Sequence, residues 1–269
     1  MIVFPNGKIN LGLHVTRRRK DGYHDLETIF FPLGIYDILE FIPSREFSFQ
    51  TSGIAINGTA DQNLCVRAFQ LLKDQFPELP EVAMHLHKVI PMGAGLGGGS
   101  ADGSFTMIAL NEYFKLGLDS AALKILSLQL GSDCPFFISN HPCYATGRGE
   151  ILEPVSVDLS GLYIVVVYPG IAVSTAEAFA GIVPRQPKIS LKEKIHEPLE
   201  QWKDWMVNDF EKTVFHYFPE IDGIKETLYA SGAAYAAMTG SGSSCFGIFR
   251  TLPDLHFPDH YRVFRVKVK

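Results

Sequence analysis

Pro91-Met92-Gly93-Ala94-Gly95-Leu96-Gly97-Gly98-Gly99-Ser100 places five glycines within the seven residues 93 to 99. Upstream, Val82, Met84 and Leu86 alternate with Ala83, His85 and His87, the period of a half-buried strand. Downstream, Phe105, Ile108, Ala109 and Tyr113 recur at helical spacing and predict a helix from about Ala101 to Leu116. A glycine-rich turn from strand to helix lets backbone N–H groups converge on an anion at the helix N-terminus, and Ser100 and Ser104 add hydroxyl donors. A bend with no ligand is the plain alternative. Five glycines carry an entropic cost, however, that a simple turn does not require.

The segment formally matches G-x-G-x-x-G at Gly93, Gly95 and Gly98. A dinucleotide fold would need a second strand ending in an acidic residue about 20 residues on. Leu116 to Leu130 stands there instead and reads as helix. No Lys-Ser or Lys-Thr closes the loop as in a Walker A motif, and the protein-kinase catalytic signatures are absent from the sequence.

Composition narrows the class. The chain has 269 residues, 46% apolar and 20% charged, as in an ordinary globular protein. A net charge of −5 argues against a general nucleic-acid coat, which needs a basic surface. The cysteines at 65, 134, 143 and 245 form no C-x-x-C pair, so buried reduced thiols are expected. The longest strongly apolar run, Leu162 to Tyr168, falls far short of the ~20 residues of a membrane span. Met1 to Asn6 has no signal-peptide pattern, which makes the cytoplasm the expected compartment.

Further elements follow from periodicity. Ile9, Leu11, Leu13 and Val15 share one strand face, with Lys8, Asn10, Gly12 and His14 on the other. Arg17 to Gly22 reads as a charged hairpin tip before a strand from Tyr23 to Phe31. Strands are expected around Ile35–Ile42, Phe47–Ile56, Tyr163–Tyr168, Tyr235–Met238 and Cys245–Phe249, and an edge strand from Arg262 to Lys269. Helices are expected over about 62–76, 121–130, 199–216 and 220–231. Residues 181–198, with three prolines, read as a mobile connection, and a domain boundary is placed near 155.

Taken by themselves, several polar positions have plain readings. Lys8 and Asn10 read as a solvated strand face. Asp133, two residues before Pro135, reads as an N-cap. Thr239-Gly240-Ser241-Gly242-Ser243-Ser244 joins two apolar strands and needs no ligand as a hairpin connection. His85 and His87 share a face, with no third metal ligand in view.

Together and in this order, Pro5–Val15, Pro91–Asp102 and Met238–Phe249 resemble the three motifs of the GHMP family of small-molecule kinases. Lys8-Ile9-Asn10-Leu11, Asp21-Gly22-Tyr23-His24-Asp25-Leu26 and Gly131-Ser132-Asp133-Cys134-Pro135-Phe136-Phe137 resemble the branch whose substrate is a cytidine-diphosphate-linked methylerythritol. The resemblance implies an α+β, two-domain fold with an ATP-binding domain over 1–155, a second domain over 156–269, and the active site in the cleft between them. It implies Lys8 and Asp133 as the catalytic pair and Asn10 as a polar neighbour of the substrate. Pro91 to Ala101 is implied as the ATP phosphate loop, with Asn63 and Lys88 near the nucleotide. Tyr23, His24, Thr175 and Phe179 would surround the cytidine end. Mg²⁺ would accompany ATP, held by Ser100 or by phosphate oxygens and water. The expected assembly is a monomer or weak homodimer. Departures are small: Asn6-Gly7 replaces the usual Ala, Cys134 replaces Val or Ile, and 180–200 match poorly.

Overall fold

The structure is a computed structural model describing all 269 residues. In chain order the strands are β1 (Ile2–Val3), β2 (Asn6–Arg18), β3 (His24–Tyr36), β4 (Ile38–Pro43), β5 (Ser48–Gly53), β6 (Val82–Lys88), β7 (Cys143–Thr146), β8 (Ile151–Pro154), β9 (Tyr163–Tyr168), β10 (Tyr235–Met238), β11 (Cys245–Phe249) and β12 (Arg262–Lys267). The helices are α1 (Leu64–Gln75), α2 (Gly98–Phe114), α3 (Ser120–Ser127), α4 (Cys134–Ser139), α5 (Thr175–Ala180), α6 (Leu191–Lys194), α7 (Glu211–Tyr217) and α8 (Pro219–Ala230). No helix is long and apolar enough to cross a membrane.

The chain forms two compact units that are not contiguous in sequence. The first comprises residues 1–7, 35–92 and 97–141. Its sheet has the order β1-β4-β6-β5, and only β5 runs parallel to β6. That parallel pair requires a crossover, which α1 supplies. Val82, Met84 and Leu86 of β6 are buried, as the alternation predicts, and meet Phe69 and Leu72 of α1 and Met107 and Leu110 of α2 in one core.

The second unit comprises residues 8–34, 93–96 and 142–269. It holds most of the sheet β2-β3-β7-β8 and all of the antiparallel sheet β10-β11-β9-β12. β9 lies between two neighbours and buries Ile164, Val165, Val166 and Val167, which accounts for its unbroken apolar run. β12 pairs with β9 alone and alternates exposed Arg and Lys with half-buried Val, so the expected edge strand is present. Val165 and Val167 pack with Val214 of α7 and Ile221 and Leu228 of α8. All four cysteines are buried and reduced.

Three sequence expectations are corrected. The helix expected over 199–216 is a 3-10 turn at Leu199–Asp204, a break, and then α7. The break has a hydrogen-bonding cause: Leu13 N–H donates to Val207 O, Asp209 N–H donates to Leu13 O, and Asn208 Nδ2 donates to the carbonyls of Met238 and Gly240. Residues 207–209 thus satisfy the outer edge of β2, which a continuous helix would leave unpaired.

The segment 181–198 is docked rather than loose. It contains α6, and Leu191 and Ile195 are buried. Buried Glu27 of β3 anchors it, accepting from Leu191 N at 2.9 Å through one oxygen and from the Tyr144 hydroxyl at 2.8 Å through the other. Finally, the polar face of β2 is not solvated: Lys8 is 3% and Asn10 2% exposed, against 0% for Ile9 and Leu11.

Candidate nucleotide and phosphoryl-transfer site

α2 begins inside the glycine run, three residues earlier than its apolar stripe suggests. Gly97 caps it in the left-handed region, at φ +69°. The first turn of a helix leaves N–H groups without intrahelical partners. Ala101 N–H already donates to Gly97 O at 2.9 Å, so the donors of this turn without an intrahelical acceptor are those of Gly98, Gly99 and Ser100. Gly98 also sets the depth of the turn. A Cβ there would lie 2.9 Å from both Lys88 Nζ and Ile90 Cγ2.

Lys88 therefore lies beneath the helix start. Its side chain is fully buried, paired with Asp37 and, at 2.7 Å, with Asp102 of α2. Asp37 sits at the bend between β3 and β4, and its Oδ1 accepts from Val89 N at 2.6 Å and Ile90 N at 2.9 Å. One Lys and two Asp thus tie the end of β6 to the first turns of α2. Burial pulls the Lys88 ammonium down, but the two carboxylates outweigh it and hold it charged. Burial pushes the Asp102 carboxyl up to about 8, with Asp37 adding to the rise and Lys88 opposing it.

Asn63 stands where the resemblance puts a nucleotide neighbour. It caps α1, its side chain accepting from Cys65 N at 2.9 Å, and it lines a pocket of about 210 Å³ with Asn57, Met92, Gly99 and Asp102.

Residues 93–96, in the second unit, are held by two other segments. Leu96 O accepts from Lys8 N at 2.9 Å, and Ala94 O accepts from Ser244 N at 3.2 Å. Gly95 has φ +76°, and a Cβ on it would sit 2.0 Å from Thr239 O, so no other residue fits. The 239–244 loop is a hairpin connection between β10 and β11, and it also braces the glycine run.

Lys8 reaches its place through that brace. Its Nζ donates to Asn10 Oδ1 at 2.6 Å and lies 5.0 Å from the centre of the Phe30 ring. Asn10 is fixed on three sides: Nδ2 donates to Thr28 Oγ1 at 2.9 Å, its backbone N–H donates to Thr239 Oγ1 at 3.0 Å, and Oδ1 accepts from that hydroxyl at 3.2 Å.

Asp133 precedes α4 but does not cap it. Its backbone is right-handed helical, at φ −80° and ψ −16°, and its carboxylate accepts no capping hydrogen bond. A cap residue takes an extended backbone to turn its side chain back on the helix. Buried Cys134, Phe136 and Phe137 fix the backbone here, and Ser104 Oγ donates to Cys134 O at 2.9 Å.

In the second unit, Tyr23 is 56% exposed and the Arg148 guanidinium lies 4.9 Å from its ring centre. His24 stacks on Phe179 of α5, centroids 4.7 Å apart and planes at 19°, and Phe210 meets Phe179 edge-on at 4.8 Å. Thr175 opens α5 on an exposed surface, behind the Ser174–Glu177 capping box. Sequence reasoning missed Asp37, Asp102, Thr28, Glu27 and Arg148. The signal for Asp37 was an acidic residue inside the apolar run Ile35-Tyr36-Asp37-Ile38-Leu39, a charge that must find a buried partner.

Comparison with known proteins agrees with this outline. The family model for the GHMP kinases N terminal domain matches residues 63–141, and that for GHMP kinases C terminal matches 191–256. The chain belongs to the GHMP kinase family, and it is an ATP-using phosphotransferase of α+β fold. Its curated relatives include 4-diphosphocytidyl-2-C-methyl-D-erythritol kinase of Bacteroides fragilis, 50% identical over 93% of this chain and 92% of the relative. The Parabacteroides distasonis protein of the same name is 47% identical over 97% of this chain and 94% of its own length. A crystal structure of 4-(cytidine 5'-diphospho)-2C-methyl-D-erythritol kinase aligns with TM-score 0.80 and 30% identity, covering 99% of this chain and 98% of that one.

Proposed function

We propose that the chain transfers the γ-phosphoryl group of ATP to the 2-hydroxyl of 4-diphosphocytidyl-2-C-methyl-D-erythritol, in the non-mevalonate route to isopentenyl diphosphate. The observation that carries the reading is buried Lys8, held by Asn10 and hydrogen-bonded through its backbone to the glycine run, in a chain 50% identical to an enzyme of that name.

Residues 93–100 hold the phosphates by backbone N–H groups, and the pocket beside Asn63 takes the nucleoside. Mg²⁺, when bound, would neutralise part of the triphosphate charge. Ser100, or phosphate oxygens with water, would hold the ion.

Asp133 receives the proton. Full deprotonation of the alcohol beforehand is too costly: a reference Asp at about 3.9 against about 15.7 for a water-like hydroxyl leaves ~12 units, roughly 16 kcal/mol. A loose, metaphosphate-like transition state lets the proton leave late, with Asp133 orienting the hydroxyl and accepting it. Lys8 supplies positive charge to the phosphoryl oxygens as their charge redistributes.

At the cytidine end, Tyr23 is the stacking platform. Phe179 acts through His24, whose ring it orients so that its nitrogens meet the cytosine edge, and Thr175 borders the site. Base–aromatic stacking contributes roughly 1–3 kcal/mol, so Tyr23→Ala is expected to raise KM for the cytidylated substrate about 5- to 150-fold. KM for ATP stays within about twofold, and equal effects on both would remove Tyr23 from the cytidine site.

The reading is tested by ADP release with ATP, Mg²⁺ and 4-diphosphocytidyl-2-C-methyl-D-erythritol, beside homoserine, mevalonate and galactose, with the added phosphate confirmed by mass. Turnover confined to the cytidylated substrate is expected. Turnover with another of the alcohols alone would keep the phosphate loop and overturn the substrate. We propose a cytoplasmic setting and a monomer or weak homodimer.

A further inference from the structure

Asp102 is the one carboxyl of the buried Lys–Asp–Asp group with an unused atom. Its Oδ2 accepts from Lys88 at 2.7 Å, whereas Oδ1 is buried and has no hydrogen-bond partner. An unpartnered buried polar atom is costly, and one that persists calls for an explanation. Here the explanation lies next to it. Asp102 is 2% exposed, and it lines the pocket shared with Asn63, Asn57, Met92 and Gly99.

We propose that Asp102 is a nucleotide-binding residue that works in its neutral form: the carboxylic acid donates from Oδ1 to an acceptor atom of the nucleoside, a ring nitrogen or a ribose hydroxyl, while Oδ2 stays on Lys88. This rests on the assignment of the pocket to ATP. The charge arithmetic favours the neutral acid. With both aspartates ionised, the group would place a net negative charge beneath a loop that binds a polyanion. With Asp102 protonated, Lys88 and Asp37 cancel and nothing opposes the triphosphate.

The charged and titratable groups around Asp102 are few. Lys88 comes from β6, Asp37 from the bend after β3, and Cys65 from α1, whose thiol burial keeps protonated. Burial holds the Asp102 proton up to about pH 8. A carboxyl with a raised pKa is neutral below that value and charged above it, so ATP binding weakens as pH rises through it.

The tests are the pH dependence of ATP binding and its proton balance. For the wild type, KM for ATP is expected to rise about tenfold from pH 7 to pH 9. In Asp102→Asn, whose amide donates at every pH, that rise is absent. A parallel rise in both proteins overturns the proposal. A measurement on the wild type alone guards against a variant that does not fold. By titration calorimetry at pH 8.5 in buffers of different ionisation enthalpy, ATP binding is expected to take up roughly three quarters of a proton. Binding without proton uptake overturns the proposal even where turnover is normal, whereas failure to bind or turn over ATP at any pH overturns instead the assignment on which it rests.

Discussion

Asp133→Asn is expected to lower kcat by a factor of about 10²–10⁴, the range in which a positioned acid or base acts. KM for ATP is expected to change by less than about threefold. The substitution keeps the shape of the side chain and removes its basicity. The carboxylate does not cap the helix behind it: Asp133 has a helical backbone and makes no capping hydrogen bond to α4. Local structure rests instead on Pro135, on buried Cys134, Phe136 and Phe137, and on the Ser104 hydrogen bond to Cys134 O, none of which changes. Melting temperatures of the variant and the wild type, compared side by side, check that the fold is kept.

Rapid-quench measurement of the phosphoryl-transfer step, beside steady-state ADP release, separates the chemical effect from product release. A variant that transfers phosphate at near-normal rate would show that the loose transition state needs no carboxylate at this position, and the proton would then have to leave to water.

How much of this was legible beforehand depends on the distance over which each residue is decided. The strands β6, β9, β10 and β11 followed from local apolar patterning, because one or both faces are covered by the sheet's own layer. The glycine-rich turn was equally legible, since left-handed backbone at Gly95 and Gly97 and close approach at Gly95 demand glycine in the sequence itself. The fate of the polar face of β2 was not. Alternation says that Lys8 and Asn10 share a face, but not that Thr28 and Thr239, 18 and 229 residues from Asn10, cover it.

The same limit explains the broken helix at 205–210, whose Asn208 side chain serves carbonyls 30 and 32 residues away. It also explains the docked segment after 181, which Glu27 secures from 164 residues before Leu191. In each case a buried hydrogen-bonding requirement overrode local propensity. Asp133 shows the converse: its local pattern was that of a cap, and the side chain was left out of the cap.

The largest effect on stability is expected at Lys88, which joins carboxylates 51 and 14 residues away in sequence. Lys88→Met keeps much of the side-chain volume but leaves Asp37 and Asp102 facing each other in the core. Removing one member of a buried ion group costs about 3–5 kcal/mol, much more than the group's net contribution to stability, because the remaining charge is uncompensated. At about 2–4 °C per kcal/mol for a chain of this size, the melting temperature should fall by roughly 6–20 °C.

The sign of the pH dependence distinguishes lost charge pairing from lost packing. Without Lys88 the two carboxyls must share protons in the folded state, so their folded pKa values lie above the unfolded ones. Folding then takes up protons, and the deficit of Lys88→Met against the wild type should shrink toward pH 5 and grow toward pH 8. Adding Asp102→Asn to the variant should recover part of the loss at pH 8 and little at pH 5. A deficit of the same size at both pH values, unmoved by the second substitution, would mean that Lys88 holds α2 against β6 by its packed stem and that its charge is incidental.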